Sequence, residues 1–260
     1  MKSKYHSSTI QRALDILNLF KEHKRLSFTD MQQYLGFNKS TLFRVLSSLC
    51  DNRYLCRDEK GRYELGLNVF ILGRRISGEH QLINISLPHM KRCSEEMGLA
   101  CHLGILDGLC VVIIEKTAPQ RNVVMVSRIG GSVPAHCTGQ GKTFLAYSLR
   151  ETVERIVHTY GLERYTPHTI ITEDGLFKEL QNIRERGYAI DNSEHEKNIR
   201  CVAVPILNES GEIEAALSVT GLVLDFQDEG TIENTAKMLK EVRDKIRREM
   251  GYMRNGEVIL

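Results

Sequence analysis

The sequence predicts an α+β protein in two parts. A small, basic, mainly helical head ends in a hairpin, and a larger acidic body layers hairpin-paired strands with helices. Three observations predict it. Apolar residues recur with helical spacing in three short segments up to Leu49, then switch to two short alternating runs around a polar turn. Farther along, strand-like apolar runs meet at Gly108 and at Asn208-Glu209-Ser210-Gly211, with helical segments between them. Charge divides in the same way. Residues 1–78 hold 14 Lys and Arg against 7 Asp and Glu, a net of +7, leaving 21 against 26, a net of −5, for the rest.

A chain of 260 residues favours two domains over one. An apolar fraction of 42% and a charged fraction of 26% are ordinary for a globular protein. No apolar run approaches the roughly 18 residues that span a bilayer. The start, Met1 to His6, lacks the apolar stretch of a signal peptide. A cytoplasmic location and no membrane partner are expected. The seven cysteines, at 50, 56, 93, 101, 110, 137 and 201, are odd in number and form no CxxC pair. They suit reduced thiols better than a disulfide framework or a zinc ribbon.

In the head, Ser7 and Ser8 offer N-caps for a helix starting near Thr9. Ile10, Ala13, Leu14, Leu17 and Phe20 then fall on one helical face. Lys21 to Arg25 is a polar break. Ser27 or Thr29 can cap a second helix with a stripe at Met31, Tyr34 and Leu35, ended by Gly36. Asn38 caps a third, in which Leu42, Val45, Leu46 and Leu49 point inward while Lys39, Ser40, Thr41 and Arg44 point elsewhere. Two short helices joined by a Gly-containing turn form a helix-turn-helix. Tyr54 to Arg57, a turn at Asp58 to Gly61, and Arg62 to Leu65 then make a hairpin, which in this position is a wing.

The second helix of such a motif enters the major groove of DNA by its N-terminal residues. Lys60 at the wing tip, between Arg57 and Arg62, suits phosphate or minor-groove contact. The DNA-contact candidates are Ser27, Lys39, Ser40, Thr41, Arg44, Arg57, Lys60 and Arg62. Taken singly, each charge is equally at home facing solvent, and the charge asymmetry alone leaves chance segregation open. The order helix, helix-turn-helix, basic hairpin is the specific signal.

Several stretches carry a family resemblance. In the head they are Arg12 to Leu17, Lys39 to Leu46 and Tyr63 to Gly66. In the body they are Pro134-Ala135-His136 with Gly141-Lys142, Arg186 to Asp191, and Glu194 with Cys201 to Ile206. Together they resemble the IclR family of bacterial regulators, in register over nearly the whole chain. The resemblance implies a winged helix-turn-helix over 1–70, a linker helix region over 71–97 and a GAF-like, antiparallel-sheet effector domain over 98–254. It implies a DNA-binding transcriptional regulator that works as a homodimer or a dimer of dimers on a palindromic double-stranded operator. A small, carboxylate-type effector in the C-terminal domain would modulate it. A repressor is expected, with an activator as the alternative. One departure matters: the family usually has Gly where Arg53 stands. A helix end often wants a left-handed residue, so Asn52 is expected to take that position and move the stop by one.

Leu67 to Arg75 leads toward a helix reaching about residue 97, with Leu87, Met90 and Met97 on one face and Pro88 in a first turn or at a break. Ala100 to Leu106, Leu109 to Glu115, Val123 to Arg128, Cys201 to Leu207 and Ile213 to Leu222 read as strands. Lys142 to Leu149, Thr152 to His158, Gly175 to Arg186 and Thr231 to Gly251 read as helices, with Leu176, Leu180 and Ile183 on one face. The loop from Gly130 to Lys142 is either a plain connector or an anion cradle at a helix N-terminus. The resemblance favours the cradle, with Gly139 and Gln140 as backbone donors. It also assigns Asp191 and Cys201 to a polar wall and Met125, Val133 and Ile199 to apolar walls. Ser218 and Thr220 alternate on one strand, so both hydroxyls face one side. Ordinary core packing of these small residues is the competing explanation.

Enzymatic alternatives rank lower. Gly141-Lys142-Thr143 ends like a phosphate-binding loop, but that motif needs Gly at 136, which is His. Cys101-His102 and His136-Cys137 are adjacent pairs, which point to opposite faces of a strand and ligate a metal poorly. A Cys201–His195 dyad needs hydrogen-bond reach that spacing does not supply. No cofactor, no metal and no catalytic residue are therefore expected.

Overall fold

The structure, a computed structural model, describes residues 7–75, 77–108, 110–117, 127–226 and 228–253, with the backbone alone for 77–80. The chain divides into two compact units, residues 1–80 and 81–260.

The first unit is built from α1 (Ser8–Leu19), α2 (Phe28–Leu35), α3 (Lys39–Asp51), β1 (Leu55–Arg57), β2 (Tyr63–Leu65) and α4 (Leu67–Gly73). Ser27 caps α2 in a reciprocal box with Asp30, and Gly36 closes the helix at φ +65°. Asn38 caps α3 by accepting from the Thr41 N–H at 2.8 Å. Leu42, Val45, Leu46 and Leu49 are buried against Ile16, Phe20, Met31, Leu55 and Tyr63. β1 and β2 pair antiparallel, and Leu26 and Tyr63 exchange two backbone hydrogen bonds that tie the hairpin to the segment before α2.

The face expected for α1 is rotated. Ile16 is the side chain fully buried, while Ile10 and Leu14 are largely exposed. Tyr34 likewise stays outside the core and stacks on His23. Helical spacing identifies an apolar stripe, but only the neighbours decide which of its members are covered.

The end of α3 corrects a second expectation. Asn52 remains near the right-handed region at φ −92°, and Arg53 itself takes the left-handed conformation at φ +57°. The Arg53 N–H bonds to the Cys50 carbonyl and the Tyr54 N–H to the Leu49 carbonyl, the pair that closes a helix on a left-handed residue. Gly66 packs on this turn so closely that a Cβ there would lie 2.2 Å from the Arg53 carbonyl oxygen.

The second unit continues through α5 (Ser77–Met97), β3 (Ala100–Asp107), β4 (Cys110–Thr117), β5 (Ser132–Pro134), α6 (Gly139–Ala146), α7 (Arg150–Tyr160) and α8 (Glu173–Arg186). It ends with β6 (Ala189–Asn192), β7 (Ile199–Leu207), β8 (Ile213–Leu222) and α9 (Glu229–Glu249). The six strands form an antiparallel sheet in the order β5-β4-β3-β8-β7-β6. One face carries Cys101, Leu103, Val202, Val204, Leu217 and Val219 against Leu82 and Met90 of α5 and Leu239 and Ile246 of α9. The other face is covered by α6, with α8 packed beside it. Leu145, Val153, Leu176, Leu180, Ile183 and Ala189 form a second core on that side.

Pro88 lies inside α5, not at its start or at a break. It sits on the exposed side, where the carbonyl one turn earlier can turn to water. Met90 is fully buried and Met97 packs on the core, but Leu87 is only half-buried. Of the strand expected at Val123 to Arg128, residues 123–126 lie outside the described residues, and Ser127 and Arg128 are not in a strand. The edge beside β4 is formed by the short β5.

Replacing Arg53 by Gly removes a left-handed strain worth about 1–2 kcal/mol and adds backbone entropy to the unfolded chain. Arg53→Gly is expected to raise the stability of the first unit by up to about 1 kcal/mol, read from its urea unfolding transition.

Candidate DNA-reading face and candidate ligand cavity

The outer side of α3 is set by its caps. Asn38 Oδ1 accepts from both the Thr41 N–H and the Ser40 hydroxyl, which fixes the first turn. Lys39, Ser40 and Arg44 are exposed. Thr41 is half-buried and borders a groove toward α1, with Ile10 and Ala13 opposite. The Ser27 hydroxyl accepts from the Asp30 N–H at 3.1 Å, so its oxygen already serves α2 as a cap.

In the wing, Asp58 organises the turn. Its carboxylate accepts from the backbone of Lys60 and Arg62 and pairs with the Arg62 guanidinium at 2.9 Å. These bonds hold the Asp58 carboxyl below its ordinary range, with the Arg62 N–H foremost. Arg57 lies over the Tyr63 ring at 5.1 Å and reaches the Gly61 carbonyl. Two of the three basic wing residues are thus held in place by the wing itself, and Lys60 is exposed at its tip.

In the second unit, strand register builds a cavity on the side of the sheet covered by α6. Asp191 stands opposite Cys201 and Cys201 opposite Thr220, while His102 stands opposite Ser218. Directly opposed residues share a face. All five line a cavity of about 400 Å3, together with Val133, Gly139, Gln140 and Ile199. That is the size of a small-ligand site, for which roughly 300–1,000 Å3 is typical. Every effector-site candidate among the described residues lines this cavity; Met125 lies outside them.

Helix α6 approaches the sheet through its glycines. A Cβ at Gly139 would lie 3.0 Å from Cys201 Sγ, and one at Gly141 would lie 2.2 Å from the Ala135 carbonyl oxygen. Thr138 caps the helix by accepting from the Gly141 N–H. The N–H groups of Gly139 and Gln140 belong to the first turn, where no helical carbonyl can take them. Gln140 has a second task that spacing did not reveal. Its side-chain amide donates to the carbonyls of His102 and Ala216, at 3.1 and 2.9 Å, and pins α6 to β3 and β8.

His102, Ser127, Arg128, Thr138, His195 and Glu196 also border the cavity, beyond the residues expected at an effector site. His102 Nε2 is 2.7 Å from Ser127 Oγ, and its Nδ1 is 3.4 Å from Thr220 Oγ1. Burial, helped by the Lys116 charge, pushes the imidazole down to about 4, so it is neutral near pH 7. Strand alternation could have found His102 once Ser218 was chosen, but only with the β3–β8 register in hand. Cys101, its neighbour, points to the opposite core, as alternation requires.

Burial pushes the Asp191 carboxyl up to about 7, against the pull of the Glu194 N–H, which donates to Oδ1 at 2.7 Å. Burial likewise pushes the Cys201 thiol up to about 11. A protonated thiol is the reverse of an activated nucleophile. Beside the cavity, Lys142 of α6 is buried and forms an ion pair with Glu194, with Glu179 3.6 Å away. Glu179 in turn holds Arg186 at 2.7 Å. Among the described residues, no cluster of three or more His, Cys, Asp or Glu is placed to hold a metal ion.

Comparison with known proteins decides the family. The model of the bacterial transcriptional regulator IclR C-terminal domain matches residues 75–248, and that of the IclR helix-turn-helix domain matches residues 9–59. The chain belongs to the IclR family. IclR-family relatives match over most of the chain. The HTH-type transcriptional regulator XynR of Escherichia coli is 33% identical over 246 residues, covering 94% of this chain and 97% of the relative. KdgR of the same organism is 33% identical, covering 94% and 93%. The crystal structure of Thermotoga maritima IclR matches with a TM-score of 0.77 at 30% identity, over 95% of this chain and all of the other. An IclR homologue from Microbacterium hydrocarbonoxydans, complexed with 4-hydroxybenzoate, matches with a TM-score of 0.83 at 26% identity, over 95% and 100%. As an IclR-family member, the chain is a DNA-binding transcriptional regulator. No helix among the described residues is long and apolar enough to cross a membrane.

Two outcomes test the geometry of the body. Asp191 favours folding most below the ordinary carboxylate range, and that advantage is lost as pH rises through about 7. Asp191→Asn is therefore expected to flatten the fall in stability between about pH 4 and 7, followed by urea unfolding across pH. Lys142→Met leaves Glu194 buried without its partner and is expected to cost about 3–5 kcal/mol, with Glu194→Leu in the same chain restoring most of it.

Proposed function

We propose that this IclR-family member is a repressor whose operator binding is set by a small carboxylate held in the cavity beneath α6. The observation that carries the reading is the cavity's makeup. It joins free N–H groups at a helix start with Ser218, Thr220, His102 and Asp191, and with the apolar Val133 and Ile199. A carboxylate suits the α6 N-terminus, and the hydroxyls and the neutral imidazole suit polar substituents on the ligand. A solved relative that carries 4-hydroxybenzoate supports a ligand of this class.

On the DNA side, Lys39, Ser40 and Arg44 meet base edges in the major groove, with Thr41 at the flank. Arg57, Lys60 and Arg62 hold the backbone or the minor groove, and Ser27, at the start of α2, donates its hydroxyl proton to a phosphate. Two copies of the chain, alone or as a dimer of dimers, set two such helices about one DNA turn or a multiple apart on a palindromic operator in the cytoplasm. Residues 1–70 serve as the DNA-binding domain, 71–97 as the linker and 98–254 as the effector domain. The ligand acts only through its difference in affinity for the binding-competent and incompetent arrangements.

A salt-dependent titration of the protein against DNA from upstream of its own gene, with random DNA as control, tests the reading. Preference for the upstream DNA with a steep inverse salt dependence is expected. Arg44→Ala is expected to weaken that preference by about 1–3 kcal/mol, as for a bidentate base contact. Equal loss on both DNAs would make Arg44 a phosphate contact. Asp191→Ala is expected to leave operator binding intact and blunt release by small carboxylates; a normal response would remove Asp191 from the ligand site.

A further inference from the structure

Helix α3 carries an exposed aromatic side chain on the side turned away from its core. Phe43 stands between the buried Leu42 and the exposed Arg44, and 60% of it is open to solvent. It takes no part in the apolar core that Leu42, Val45, Leu46 and Leu49 form with α1, α2 and the hairpin. One turn before it is the exposed Ser40, and one turn after it is the half-buried Ser47. Thr41, Arg44 and Ser48, by contrast, border the groove toward α1. Phe43 therefore belongs to the outward strip of α3 with Ser40 and Ser47, and the exposed Arg44 stands beside it at the rim of that groove.

A phenyl ring offers neither donor nor acceptor. It cannot hold a phosphate or hydrogen-bond to a base edge. A large exposed apolar side chain on a basic head gains nothing from water and gains from an apolar partner. In the major groove the apolar feature of the bases is the 5-methyl group of thymine. We infer that Phe43 is a specificity-determining residue that reads a thymine methyl group in the operator, beside the polar contacts of Ser40 and Arg44. The inference rests on α3 being the helix that enters the major groove.

The test starts from the duplex that the purified full-length protein selects from a randomised DNA pool. Each thymine under the footprint is replaced singly by deoxyuridine, which removes the methyl group and keeps the base pairing. At one thymine in each half-site the replacement is expected to weaken binding by about fourfold, the worth of one buried methyl. In Phe43→Ala that penalty disappears, while the thermal midpoint and the slope of binding against salt stay as in the parent. Phe43→Leu, still apolar, is expected to retain part of the penalty. A selected duplex whose thymines can all become uracil without loss overturns the inference and leaves the DNA-binding reading standing. So does a uracil penalty of the same size in Phe43→Ala, or a change in oligomeric state in that variant without any uracil effect, which would make Phe43 a contact between copies. Failure to select any sequence overturns both.

Discussion

The first turn of helix α6 is so closely packed that Gly141 must lack a side chain and Gly139 has only tight room for one. Gly139 leaves room for Cys201 and Ala203, and Gly141 leaves room for the backbone of Ala135. Gln140, between them, uses its amide to bond β3 and β8. The helix start is thereby laid over the polar rows of the sheet instead of over an apolar core. The cavity follows from this one contact. Its floor is the first turn of α6, and its walls are the strand residues that the helix does not cover. A Cβ at Gly141 would force the helix start away from the Ala135 backbone.

Charge is handled differently in the two units, for a reason that burial supplies. In the body, Lys142 is almost fully buried and pairs with Glu194, while one oxygen of Glu194 has no protein partner among the described residues. Buried charges of this kind cost desolvation and are retained only where opposite charges face each other closely. The pair ties α6 to the segment that follows β6, next to Asp191, so the same elements that frame the cavity are cross-linked behind it. In the head, the ion pairs around Asp58 lie at the surface, with the arginines largely open to water, contribute little to stability, and serve to shape the wing. Arg62 and Arg57 are oriented by the protein, which in the proposed DNA contact would lower the entropy lost on binding.

Much of this was legible in the sequence, because it rests on local rules. The caps at Ser27 and Asn38, the stop at Gly36, the inward stripe of α3 and the wing turn each depend on neighbours within a few residues. The polar rows of the cavity were legible in part: alternation alone puts Ser218 and Thr220 on one side of β8. The family resemblance supplied Asp191, Cys201 and Ile199, which composition and spacing alone would have left as core.

What only the tertiary structure decided depends on partners far away in the chain. Ile10 and Leu14 fit the helical stripe of α1, yet Ile16 is the residue that the hairpin and α3 cover. His102 enters the cavity because β3 pairs with β8, a register that no local pattern states. The left-handed turn fell to Arg53 and not to Asn52, because the closing hydrogen bonds to Cys50 and Leu49 outweigh the intrinsic preference of either residue. The sequence by itself determined the type of most elements and the ends that a cap or a glycine marks, such as Ser27, Gly36 and Asn38, since backbone sterics and capping act over a few residues. The pairing of the elements' faces, and with it the cavity, was decided by long-range burial.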